Sequence, residues 1–258
     1  MSEMLEFMRR LAAAAAGETL PRFRRGSAVV NKLGSGFDPV TEADREAERA
    51  IRALIGEAFP EDGILGEEFG LTNGEAARQW VIDPIDGTRA FISGIPLWGT
   101  LVGLTSGGRA VAGMMAQPFT GELYLADGDG AFLERGEEGH RLSTSSVEEL
   151  SQATMCTTTP ALFSSTQRPS YDRLEQEVRL PRYGTDCYAY AMLASGHIDL
   201  VVEPGLNPYD IVGLIPIIEQ AGGVVTTFSG ERAESGGNII AAANATLHEK
   251  ALAYVAGL

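Results

Sequence analysis

Hydrophobic positions along this chain follow two rhythms, one belonging to helices and one to strands. The alanine-rich opening of roughly 25 residues, with Gly26 near its end, predicts a first helix. The glycine-containing loop Gly34-Ser35-Gly36-Phe37-Asp38-Pro39 leads into a second. There Ala47, Ile51, Leu54, Ile55 and Ala58 recur at amphipathic spacing, and Pro60 ends the run. Shorter apolar runs follow at Gly63–Gly66, Gln79–Asp83, Trp98–Thr105, Ala110–Gln117 and Glu122–Ala126. Gly, Pro and Asp bound them, so they predict strands of one sheet.

Between about Glu134 and Ser151 the chain turns polar, the expected connection between two halves, 1–136 and 150–258, of one integrated unit. In the second half, strands are predicted at Met155–Thr159, Leu180–Tyr183, His197–Val202, Val224–Phe228 and Asn238–Ala243. Helices are predicted at Asp186–Ala194, Pro208–Gln220 and Thr246–Val255, with Pro216 kinking the middle one. Alternation of this kind predicts an α/β class with helices layered on sheets.

Composition narrows the function. With 258 residues, 44% hydrophobic and 21% charged, the chain is neither disordered, collagen-like nor coiled coil. Its 35 Asp+Glu against 20 Lys+Arg give a formal charge of −15, which disfavours nucleic acid and suits a site that gathers divalent or small organic cations. Cys156 and Cys187 form no CxxC pattern, so two half-buried free thiols and a reducing cytoplasm are expected. Acids precede the short apolar run at the start, unlike a signal peptide, and no apolar stretch reaches the ~18 residues of a membrane span.

The chemistry concentrates in Trp80-Val81-Ile82-Asp83-Pro84-Ile85-Asp86-Gly87-Thr88. Two acids at a strand end can share a hard, oxygen-seeking cation such as Mg²⁺. The N–H groups of Gly87 and Thr88, at what reads as a short helix start, can receive a phosphate. An Asp-Pro turn followed by an Asp-Gly turn explains the same residues equally well. Glu67-Glu68 adds acids that solvation alone could explain, and Asp210 adds one that a helix dipole could explain. Asp44 completes the capping box Thr41-x-x-Asp44.

In this order the segments resemble the inositol monophosphatase superfamily, the lithium-sensitive Mg²⁺-dependent phosphomonoesterases. The resemblance runs from Asp38-Pro39-Val40-Thr41-x-x-Asp44 through Gly66-Glu67-Glu68 and Asp83–Thr88 to Tyr209-Asp210 and Glu219-Gln220-Ala221-Gly222-Gly223. Tyr209 stands where that family usually has Trp. The resemblance implies a layered fold of the inositol monophosphatase/fructose-bisphosphatase type, a homodimer, and two to three Mg²⁺ ions. Glu67, Asp83 and the Ile85 carbonyl would hold the first ion, Asp83, Asp86 and Asp210 the second, and a weaker third would sit by Glu67. Thr88 and Asp44 would orient and activate the attacking water, with no protein nucleophile; His140, His197 and His248 are scattered. A non-catalytic member would be expected to have lost an acid or Thr88, and none is lost.

Three further segments resemble the histidinol-phosphate phosphatase branch: Arg89–Thr100, Gly184-Thr185-Asp186-Cys187-Tyr188-Ala189-Tyr190 and Asp199–Glu203. Histidinol phosphate carries an ammonium and an imidazole, which carboxylates can receive. Glu203 matches the family's polyol-binding Glu. Asp186 stands where inositol phosphatases commonly have a small apolar residue, and it can equally be a helix-start acid. Arg89 can pair with an acid or phosphate, or simply lie on the surface. The competing reading is an inositol-1-phosphate or broad sugar-phosphate monophosphatase.

Overall fold

In the structure, a computed structural model that describes residues 2–25, 29–31 and 39–257, helix α1 (Glu3–Thr19) opens on Ser2, whose hydroxyl accepts the Leu5 N–H at 3.2 Å. It ends well before the predicted position. Pro21 has no N–H to extend the ladder, and the turn that follows buries Phe23 against Phe91 and Trp98. Gly26 and the 34–38 part of the predicted loop lie outside the described residues. Helix α2 (Glu42–Ala58) starts with the predicted capping box at Thr41 and Asp44. Its buried face reads Asp44, Ala47, Glu48, Ile51, Ile55: polar at the start and apolar beyond, while Ala58 is exposed.

Strands β1 (Val29–Asn31) and β2 (Pro39–Thr41) form a small antiparallel ribbon. The large sheet is built from β3 (Gly63–Gly66), β4 (Gly70–Thr72), β5 (Arg78–Asp86), β6 (Gly99–Ser106), β7 (Arg109–Gln117), β8 (Glu122–Ala126), β9 (Ala131–Arg135) and β10 (Glu138–Arg141), with the short helix α3 (Thr88–Ile92) after β5. Its order is β10-β9-β8-β7-β6-β5-β3-β4, so all five strands predicted here share one sheet. β10 occupies part of the expected polar connection. All four of its residues are exposed and it is held by pairing with β9, so no apolar rhythm announced it.

The second sheet, in order β12-β11-β13-β15-β14, comprises β11 (Thr154–Thr157), β12 (Leu180–Tyr183), β13 (Leu200–Leu206), β14 (Val224–Thr227) and β15 (Gly237–Ala242). Helices α4 (Arg168–Glu177), α5 (Asp186–Ala194), α6 (Pro208–Ile211), α7 (Ile215–Gln220) and α8 (Ala245–Val255) accompany it. The predicted helix Pro208–Gln220 is therefore two, and Pro216 sits harmlessly in the first turn of α7. The link between them presses on the large sheet. A Cβ on Gly113 would lie 2.1 Å from the Gly213 carbonyl oxygen, and one on Gly103 2.7 Å from the Gly213 nitrogen.

Period-two alternation sorts the strands into layers. Trp80, Ile82, Val102 and Met114 face α1 and α2. Leu101 and Met115 face a middle layer of α5 and α7, which also meets Val201, Ile239 and Ala241 of the second sheet. Leu200, Val202 and Ile240 point the other way, to α4 and α8. The predicted layering of helices and sheets is thus observed as helix, sheet, helix, sheet, helix. No helix among the described residues is long and apolar enough to cross a membrane.

Candidate active site

Asp83 and Asp86 are three residues apart, and in a regular strand they would point to opposite faces. They do not, because β5 carries an extra residue. Asp83 pairs with Leu101 and Asp86 with Gly99, so Pro84 and Ile85 together oppose Thr100, whose hydroxyl donates to the Pro84 carbonyl at 2.8 Å. The bulge turns both acids to one side, where Asp210 of α6 meets them. One carboxylate oxygen from each of the three lies within 4.8 Å of the others.

Charge of one sign is concentrated here. Asp83 sits well above the usual carboxylate range because of burial first, then Glu67, Asp86 and Asp210. Burial, Asp186 and Asp210 do the same to Asp86. Asp210 is pushed up to about 6, chiefly by burial, although the Asn207 N–H donates to its Oδ2 at 2.6 Å. Asp83 is close enough to both Glu67 and Asp210 for their protonation to be linked to its own. Carboxylates approach one another in this way only by sharing a proton or a cation. An all-oxygen donor set of this kind fits Mg²⁺.

Glu67 stands outside the triad but close enough that its charge raises Asp83, Asp44 and Asp210. Glu48 holds its loop. This fully buried carboxylate accepts the Glu68 N–H at 2.7 Å, the Phe69 N–H at 3.3 Å and the Arg52 guanidinium at 2.7 Å. Glu68 reaches the Arg45 guanidinium at 4.0 Å.

Asp44 divides its oxygens. Oδ2 accepts from the Thr41 N–H at 2.8 Å and the Thr41 hydroxyl at 2.6 Å, which is the helix cap. Oδ1 faces the Thr88 hydroxyl at 3.5 Å, and that hydroxyl also reaches the Ile85 carbonyl at 3.0 Å. Burial raises Asp44 to about 6. Capping and a place at the site are therefore compatible. Gly87, in a left-handed conformation with φ 82°, precedes Thr88 at the start of α3, and a Cβ there would lie 2.9 Å from the Leu97 carbonyl.

Beside the triad lies a cavity of ≈ 180 Å³ lined by Asp86, Asp210, Asp186, Glu203, Thr158 and Tyr190, with Cys187, Leu162 and Leu206. Glu203 is buried and accepts from Thr157, the Thr158 N–H and the Thr158 hydroxyl, yet burial still raises it to about 7. Asp186 starts α5 at φ 43°, a backbone setting unusual outside glycine, and accepts the Thr158 hydroxyl at 3.2 Å. Exposed Arg89 does not line the cavity, but its charge partly offsets the effect of burial on Asp186. None of the three histidines lines this cavity, and both cysteines are free and buried rather than half-buried.

A model of the inositol monophosphatase family matches residues 1–257. The chain belongs to the inositol monophosphatase family. It is accordingly a phosphatase, in a family that is metal-dependent and typically uses Mg²⁺. It is 41% identical over 252 residues to the chloroplastic bifunctional phosphatase IMPL2 of Arabidopsis thaliana, covering 93% of this chain and 71% of that one. Against a histidinol-phosphatase of Chlorobaculum parvum it is 36% identical, covering 99% and 97% of the two chains. The solved inositol monophosphatase of Zymomonas mobilis superposes with a TM-score of 0.86 at 38% identity, covering 98% of this chain and 97% of that one.

Glu48 and Thr158 have no role legible in the sequence, and Tyr190 enters there only as the end of the segment Gly184–Tyr190. Glu48 had one available signal, since it follows Asp44 by four residues on the buried face of α2. Thr158 had none, because its partners Asp186 and Glu203 are far along the chain.

Proposed function

We propose that this phosphatase hydrolyses L-histidinol phosphate to L-histidinol and phosphate, as a step of histidine biosynthesis. The observation that carries the reading is the placing of two carboxyl groups, half-buried Asp186 and buried Glu203, in a cavity that Asp86 and Asp210 of the acidic triad also line. Histidinol-phosphatases among the relatives support it. A leaving group bearing an ammonium and an imidazole supplies the donors that such a lining requires. A neutral polyol offers no cation to offset the charge.

Glu67, Asp83, the Ile85 carbonyl, Asp86 and Asp210 would hold two to three Mg²⁺ ions, which when bound neutralise phosphoryl charge and favour in-line displacement. The chain's own residues do the rest. Gly87 and Thr88, at the start of α3, receive the phosphate. The Thr88 hydroxyl orients the attacking water and relays a proton to Asp44 Oδ1, the oxygen that the helix cap leaves available. Asp44, raised to about 6, is placed to hold that proton transiently near neutral pH. Asp186 and Glu203 bind the leaving group, whose ester oxygen takes a proton from solvent as its bond to phosphorus breaks, and Arg89 steadies Asp186 from outside. A homodimer in the cytoplasm belongs to the same reading.

The test compares kcat/KM for histidinol phosphate, inositol 1-phosphate and p-nitrophenyl phosphate in wild type and Asp186→Ala. The expected result is a wild-type preference for histidinol phosphate, which the substitution reduces by roughly tenfold to a hundredfold relative to p-nitrophenyl phosphate, the scale of one charge-assisted hydrogen bond. Equal wild-type activity on inositol 1-phosphate would instead support the broader monophosphatase.

A further inference from the structure

Tyr190 lies one helical turn after Asp186 in α5, is 3% exposed, and lines the same cavity. Its hydroxyl has no hydrogen-bond partner among the described residues. A buried hydroxyl left in that state costs stability unless water or a ligand satisfies it.

The other polar side chains of the lining are already engaged. Glu203 accepts from Thr157 and Thr158, and the Thr158 hydroxyl is directed at Glu203 and Asp186. Asp86 accepts the Cys187 N–H at 2.6 Å, and the Cys187 thiol, raised by burial and by Asp86, stays protonated, while Asp210 accepts the Asn207 N–H. Apart from Tyr190, the lining presents acceptors, or donors already directed at those acceptors. Burial, with Glu203, Asp86 and Asp210 nearby, keeps the phenol well above its ordinary pKa, so it remains protonated and holds a hydrogen that only a partner with a lone pair can receive.

We propose that Tyr190 is a specificity-determining residue whose hydroxyl donates to an acceptor atom of the departing alcohol, while Asp186 and Glu203 receive that alcohol's donors. Naming the atom rests on the histidinol-phosphate reading: it is the unprotonated ring nitrogen of the imidazole. A leaving group with donors alone would satisfy the carboxylates but leave the phenol O–H without an acceptor, and a site built around a hydrogen bond discriminates against a ligand that cannot make it.

The test is Tyr190→Phe, which removes only the hydroxyl, in the Mg²⁺-loaded enzyme. The wild type first establishes which of histidinol phosphate and inositol 1-phosphate is preferred. For the preferred ester, kcat/KM relative to that for p-nitrophenyl phosphate should fall about three- to tenfold in the variant, mainly through KM. Its melting temperature without substrate should be unchanged or higher, because an unsatisfied group has gone. A wild-type ratio overturns the proposal. So does a lowered melting temperature with an unchanged ratio, which would make the hydroxyl structural. A wild type that prefers inositol 1-phosphate defeats the histidinol reading alone. Tyr190 is then judged on that ester, whose ring hydroxyl oxygens are also acceptors.

Discussion

Asp83→Asn should abolish turnover and stabilise the metal-free protein. The triad oxygens lie within 4.8 Å of one another. At that separation two full charges repel by about 3.5 kcal/mol at an effective dielectric constant of about 20. Proton retention relieves part of this, so the amide should recover about 1–3 kcal/mol. In a chain of this size that is a rise of roughly 2–10 °C in Tm. Asparagine keeps the oxygen that accepts the Ile85 N–H at 3.0 Å, so the bulge should survive. The pH dependence has a definite sign. A carboxyl with a folded pKa above its unfolded value binds more protons when folded, so its destabilisation appears as pH rises through that interval. For Asp210 the interval runs from 3.8 to about 6, and Asp83 and Asp86 are also raised. The assay is a thermal melt in EDTA at about pH 7.5 and about pH 4.5, then with saturating Mg²⁺ at the higher pH. The variant should melt above wild type at the higher pH, approach it at the lower, and gain less from Mg²⁺. A variant that melts below wild type in EDTA at the higher pH refutes the repulsion argument. An undiminished Mg²⁺ gain removes Asp83 from the ion site.

Three other perturbations probe the neighbouring residues. Thr88→Ala should lower kcat by about a hundredfold or more with a smaller change in KM, and steady-state kinetics showing a wild-type kcat would remove it from water positioning. Asp44→Asn should slow turnover while leaving the melt nearly intact, since the amide keeps an oxygen that can accept the Thr41 N–H; unimpaired turnover would confine Asp44 to capping. Glu48→Ala should cost about 3 kcal/mol by leaving two loop N–H groups and the largely buried Arg52 without their acceptor, and should weaken Mg²⁺ binding by calorimetry through the Glu67 loop. Gly66→Ala should act in the same direction, because its Cβ would lie 1.8 Å from Glu48 Oε1. Wild-type melts and Mg²⁺ affinity in both variants would mean that Glu48 does not hold this loop.

Local rules made much of this protein legible in its sequence. Short apolar runs bounded by Gly, Pro and Asp at Gly63–Gly66 and Glu122–Ala126 predicted those strands to the residue, since apolar content and turn residues are both read within a short window. Thr41-x-x-Asp44 announced a cap that is present, because a capping box is closed within four residues. The run Asp83–Thr88, with Glu67 and Asp210, marked the acids and supported the family resemblance. Other features depend on contacts that no short window contains. β10 is held by backbone pairing with β9, and the break at Gly213 is set by how closely β6 and β7 approach it. The sequence did not show that Asp83 and Asp86 share a face, because the bulge depends on how β5 registers with β6. It left Asp44 between two roles that only the separate directions of its two oxygens reconcile. It assigned no role to Glu48 or Tyr190, since a charge or a hydroxyl gains its meaning from what burial brings beside it, and burial is decided by the whole packed chain.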